Sequence, residues 1–125
     1  MNVLIFEREE DILDLLTYNL ETKGFTVTSC EERNPCCSCM ESYNPDIILV
    51  GNVGIDEDLI KFGKSLLDSF PGKSIPMVCL TTKEESLPLL STSSVFDLVL
   101  STPIKPKSIV LAIKELLNMP IADAA

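Results

Sequence analysis

Residues 45–51 read PDIILVG. The aliphatic run Ile47-Ile48-Leu49-Val50 leaves no position for a solvated side chain. A strand of that kind is buried on both faces, which is the condition of a parallel sheet covered by helices. The run stops at Gly51. In an open parallel sheet the carboxyl ends of the strands line the crevice where chemistry is normally placed. Here that position carries no side chain.

Outward from this run, apolar residues alternate between two periods. Strand-like runs occur at 3–6 (VLIF), 25–28 (FTVT), 47–50 (IILV), 77–80 (MVCL) and 98–100 (LVL). Helical spacing separates them. Ile12, Leu15, Leu16 and Leu20 share one face of a helix that stops at Lys23-Gly24, a normal C-terminal signal. Leu59, Phe62, Gly63, Leu66 and Phe70 repeat the pattern before Pro71-Gly72. Ile109, Ile113, Leu116 and Leu117 do so before Pro120, and Pro106 suits the first turn of that last helix.

Asn34-Pro35 reads as an N-cap and first helical residue of a short helix through Met40. Thr82-Lys83-Glu84-Glu85 fits a capping box, but Pro88 and the serine-rich 91–94 predict a short or distorted helix there. Strands that each lead into a helix imply an α/β sandwich. Right-handed crossovers then give a flavodoxin-like (βα)5 fold with a five-stranded parallel sheet in the order 2-1-3-4-5. The crevice falls at Glu7, Arg8, Gly51 and Thr81. One domain is expected over residues 1–119, with 120–125 as a frayed tail.

The composition narrows the function. The chain has 125 residues, 46% of them hydrophobic, which fits one folded domain. Its net charge is −9, so nucleic acid and anionic membrane surfaces are poor partners. There is no histidine, the commonest general base and metal ligand. No apolar run approaches the ~20 residues that span a bilayer, and a cytoplasmic protein is the expectation. The five cysteines then read as reduced thiols.

Three of those cysteines lie in the stretch NPCCSCM. Adjacent residues on a helix point about 100° apart, so Cys36, Cys37 and Cys39 cannot converge on one ion. Cys36 and Cys39 can share a helical face, which leaves core packing and redox sensing as alternatives. Cys79 lies within an apolar strand and reads as core.

Several segments taken together resemble the receiver domain of two-component response regulators. VLIFEREEDI resembles its opening strand and acidic turn, and NPDIILVG the strand that carries its phospho-accepting aspartate. IPMVCLTT resembles the fourth strand with its hydroxyl residue, and DLVLSTPIKPKSIVLAIKELL the fifth strand, the proline turn and the last helix. The resemblance implies a phosphorylation pocket, but the residues that would build it are largely replaced. Gly51 stands at the acceptor aspartate. Glu7 and then Arg8 stand at the acidic pair that holds magnesium. Thr81 matches the hydroxyl residue, Thr102 stands at the lysine, and Val99 replaces an aromatic residue. The Thr102-Pro103 bond is expected to be cis, as the resemblance implies.

These losses are consistent with one another. Glycine offers no nucleophile. Each carboxylate pair in an intact pocket repels by about 4 kcal/mol at ~4 Å and an effective dielectric near 20, so removing one lowers the demand for cations. Arg8 is expected to pair with Glu7 or Glu9 in place of a metal, or else to be a solvated loop residue. Asp46 precedes the buried run and faces the wrong end of the strand. Asp56 reads as a helix cap. No cofactor and no enzymatic activity are expected.

The leading expectation is a pseudo-receiver that acts through protein–protein contact without phosphorylation. Its partner surface, carried over from the resemblance, includes Leu87, Leu89, Leu90, Val99, Lys105 and Lys107, and a homodimer is compatible with it. The alternatives are a thiol-based redox sensor using Cys36 and Cys39, and a phosphorelay receiver with atypical site chemistry.

Overall fold

The aliphatic run Ile47–Val50 is the central strand of the sheet. A computed structural model describes residues 1–7, 9–30, 44–51, 56–70, 75–81, 95–101 and 105–117. Its strands are β1 (Asn2–Phe6), β2 (Thr26–Cys30), β3 (Ile47–Val50), β4 (Met77–Thr81) and β5 (Leu98–Ser101). Its described helices are α1 (Glu10–Glu21), α2 (Asp56–Ser69) and α3 (Pro106–Leu116). All neighbouring strands are parallel, in the order β2-β1-β3-β4-β5. The flavodoxin-like topology expected from the alternation is the one observed. β3 lies in the middle, and each of its four residues is fully buried.

Alternation along each strand divides the core in two. Leu4, Phe6, Ile48, Val50, Met77 and Cys79 face α2, where Phe62 and Leu66 meet them, with Phe70 directly after the helix. Val3, Ile5, Ile47, Leu49, Val78 and Leu80 face α1 and α3, where Leu16, Leu20, Ile109, Val110 and Ile113 cover them. Helices on both faces explain why the inner positions of β1, β3 and β4 are apolar on both sides. They also explain why α1 and α3 each need only one apolar stripe.

The end of α1 shows how local chemistry sets the register. Gly24 takes φ +92°, a left-handed conformation that glycine adopts without steric cost. The amide of Phe25 then reaches back to the Leu20 carbonyl at 3.1 Å, and that of Gly24 to Glu21 at 3.1 Å. This is a Schellman motif, and its usual hydrophobic contact is supplied by Phe25 and Leu20, both buried. The motif corrects one sequence expectation. Phe25 is not the first residue of the second strand, because its amide is already committed to the helix. The ladder begins one residue later, where Thr26 donates to the Met1 carbonyl at 2.9 Å. At the other end of the chain, Pro106 opens α3, behind Lys105 as N-cap.

No described helix is long and apolar enough to cross a membrane. The expected helix at 34–40, the serine-rich segment near 91–94 and the tail at 120–125 lie outside the described residues.

Candidate functional site

The site is built by the pairing of β1 with β3. The register sets Phe6 beside Val50, so the next residues, Glu7 and Gly51, leave the sheet side by side at its carboxyl edge. The Gly51 amide still donates to the Phe6 carbonyl at 2.7 Å, which carries the ladder one step beyond the strand. The floor beneath is apolar. Phe6 and Phe62 meet edge to face with ring centroids 5.0 Å apart, and Val50 belongs to the same cluster.

Glu7 is the charged group of this edge, and it is only 4% exposed. Its Oε1 accepts a hydrogen bond from the Glu9 amide at 3.1 Å. Glu9 is the N-cap residue of α1 and makes no capping bond with its own side chain. The Glu7 carboxylate thus fastens the turn between β1 and α1. Glu10 and Asp11 follow in the first turn of the helix, where the helix dipole favours negative charge.

The other carboxylate oxygen, Oε2, lies over Gly51. A β-carbon built on Gly51 would collide with it, would lie 2.9 Å from the Glu7 carboxyl carbon and would lie 3.3 Å from the Phe6 carbonyl oxygen. Gly51 is not among the residues with positive φ. Its φ therefore does not demand glycine, and a side chain at this position would displace the neighbouring Glu7 carboxylate as it now lies. An acid on one strand beside a glycine at the same level of the next would have been the signal, but the level is known only once the register is known.

The remaining site residues distribute as follows. Thr81 and Ser101 are paired at the ends of β4 and β5, on the same edge as Gly51, and Ser101 was not singled out by the sequence. Val99 pairs with Cys79 and is half-buried against the cluster that contains Phe6. Lys105 and Lys107 are exposed at the start of α3. Asp46 lies at the opposite, amino-terminal edge, where it accepts a hydrogen bond from the Asn2 amide at 2.7 Å. Asp56 is the first residue of α2. Cys79 is fully buried in the core. Arg8 and its expected pairing, Cys36, Cys39, Leu87, Leu89, Leu90 and the Thr102-Pro103 bond lie outside the described residues.

Among the described residues of this edge, the donor set is poorer than the acidic cluster that the receiver resemblance implies for magnesium. Glu7 already holds the Glu9 amide, and residue 51 can contribute no carboxylate. Among the described residues, no three His, Cys, Asp or Glu side chains are grouped to hold a metal. Nor does the described edge present a nucleophile beside a base.

No family model matches the chain. The alkaline phosphatase synthesis transcriptional regulatory protein PhoP of Bacillus subtilis is 27% identical over 117 residues, which are 93% of this chain and 48% of that protein. The chain therefore spans about half the length of that curated relative. Among solved structures, a two-component response regulator from Clostridium difficile superposes with a TM-score of 0.79 at 20% identity, over 94% of this chain and 96% of that one. A member of a family of redox sensors in the streptococci, evolved from two-component response regulators, superposes with a TM-score of 0.76 at 20% identity. That match covers 94% of this chain and 51% of that one. By sequence match the chain is similar to a response regulator over nearly all of its length, and its fold is that of the response-regulator receiver structures it superposes on.

Proposed function

We propose that the domain is a pseudo-receiver, which relays information through protein–protein contact and is not phosphorylated at the end of β3. The observation that carries this reading is Gly51. The position that follows the central strand offers only backbone, and phosphoryl transfer requires a nucleophile there. Transfer also requires cations to neutralise the developing charge on the phosphoryl oxygens. The buried acid beside Gly51 is engaged with the Glu9 amide instead.

The surface proposed for the partner protein runs along α3 and the segment before β5. Lys105 and Lys107 are exposed there, and Leu111 on the same helix is 45% exposed. Leu87, Leu89 and Leu90 extend the surface in the proposal, and a second copy of the chain is one partner it admits. The test is direct. The protein is incubated with a small acyl-phosphate donor and magnesium, and its intact mass is measured. An unchanged mass is expected. Gain of an acid-labile phosphoryl group would replace this reading with a phosphorelay receiver of atypical chemistry.

A second reading is favoured by the likeness to the streptococcal redox sensor. In it the scaffold responds through the thiols of Cys36 and Cys39. Rapid labelling of either at neutral pH, with a reversible disulfide on mild oxidation, would select this reading over the first. Slow labelling of both would leave them as packing residues.

A further inference from the structure

We infer that Glu7 and Gly51 are an interdependent pair, in which a carboxylate carried by β1 permanently fills the space that a side chain from β3 would need. The crevice of this domain then contains its own anionic occupant. The inference rests on the phosphorylation-independent reading for its meaning, and it adds how the vacated acceptor position is closed.

Two observations converge. Glu7 is nearly inaccessible to solvent, and a buried carboxylate persists only where its oxygens are engaged. One oxygen holds the Glu9 amide at 3.1 Å, and the other lies in the volume above the Gly51 α-carbon. Gly51, for its part, has no positive φ that would demand glycine, and its amide continues the ladder to Phe6. The two residues therefore explain each other. Glu7 can lie flat on the sheet edge because residue 51 has no β-carbon, and a β-carbon there would force it off.

The direction of the coupling follows from what can move. A β-carbon at residue 51 meets a backbone oxygen of Phe6 on one side and the far end of the Glu7 side chain on the other. The backbone is held by the ladder, so the side chain yields. A methyl group on residue 51 thus expels the Glu7 carboxylate and releases the Glu9 amide, although neither Glu7 nor Glu9 has been altered. Glu7 is in this sense a positioning residue for the turn into α1, and Gly51 is the condition for its position.

The test is a double-mutant cycle on the whole chain with Glu7→Ala, Gly51→Ala and the double variant, read by urea unfolding and by hydrogen exchange of the Glu9 amide. Gly51→Ala is expected to raise the unfolding equilibrium constant roughly ten- to hundred-fold, the scale of losing a charge-assisted hydrogen bond. In the Glu7→Ala background the same change is expected to shift it by no more than about two-fold. Gly51→Ala should also speed exchange at Glu9 as much as Glu7→Ala does. Glu7→Gln, which keeps an acceptor oxygen and the shape, should leave that amide protected.

Additive effects in the cycle, or a Glu9 amide unmoved by Gly51→Ala, would overturn the pairing. Should the double variant not fold, exchange at Glu9 in Gly51→Ala and Glu7→Gln still decides it. A phosphoryl group trapped on the unaltered protein would sink the proposed function and leave the coupling intact. Loss of the coupling would do the reverse.

Discussion

At the amino-terminal edge of the sheet, Asp46 and Asp97 do the same work twice. Each precedes a strand and accepts a hydrogen bond from the first amide of the neighbouring strand, Asn2 at 2.7 Å and Met77 at 2.7 Å. Each returns its own amide to that residue's carbonyl, at 2.8 Å in both cases. Both aspartates are exposed. At the carboxyl edge the corresponding acid, Glu7, also accepts from a backbone amide, but it is buried and lies on a neighbouring strand's glycine. The same group is a solvated clasp at one end of the sheet and a packed filler at the other. The difference lies in what surrounds it. Water can replace a clasp oxygen at the open edge, whereas nothing can replace the Glu7 oxygen without moving protein atoms.

The comparison can be broken or sharpened by substitution, beginning with the middle of the sheet, which sets the scale. Ile48→Ala empties a fully buried site between the two edges and is expected to cost about 2–5 kcal/mol in urea unfolding. Gly51→Val at the carboxyl edge crowds the Glu7 carboxylate and the Phe6 carbonyl, with an expected loss of about 1–3 kcal/mol. A cost below that of the aspartate clasps would mean that the two edges do not differ. Asp97→Ala removes the part-buried bond to Met77 at the edge of the sheet. It should cost only about 0.5–1.5 kcal/mol, with Asp97→Asn cheaper because an acceptor oxygen remains. Lys107→Ala touches neither edge and should shift thermal unfolding by no more than about 0.5 kcal/mol. A larger loss would place Lys107 in the scaffold rather than on the proposed partner surface.

Much of the architecture is legible in the sequence, and particular residues show why. Ile47-Ile48-Leu49-Val50 was read as a strand and is β3 without a residue's difference. Buried runs of this kind are bounded by local changes of pattern, and a doubly covered parallel sheet follows from them. Lys23-Gly24 was read as a stop, and Gly24 indeed takes the left-handed conformation of a helix end. Phe25 was misplaced by one residue because its side chain suits a strand while its amide belongs to the helix. Apolar character cannot distinguish those two uses.

Gly51 marks the other limit. The chain alone carries a glycine directly after the buried run, because residue identity is a local fact. It carries the elements and their order as well, since periodicity, caps and turns act over a few neighbouring residues. What a side chain at residue 51 would displace was settled by the lateral register of β1 and β3, which brings Glu7 onto a residue remote in sequence. The clasps of Asp46 and Asp97 were settled in the same way. Contacts between strands depend on which edges meet and at what level, and no pattern within either strand records that.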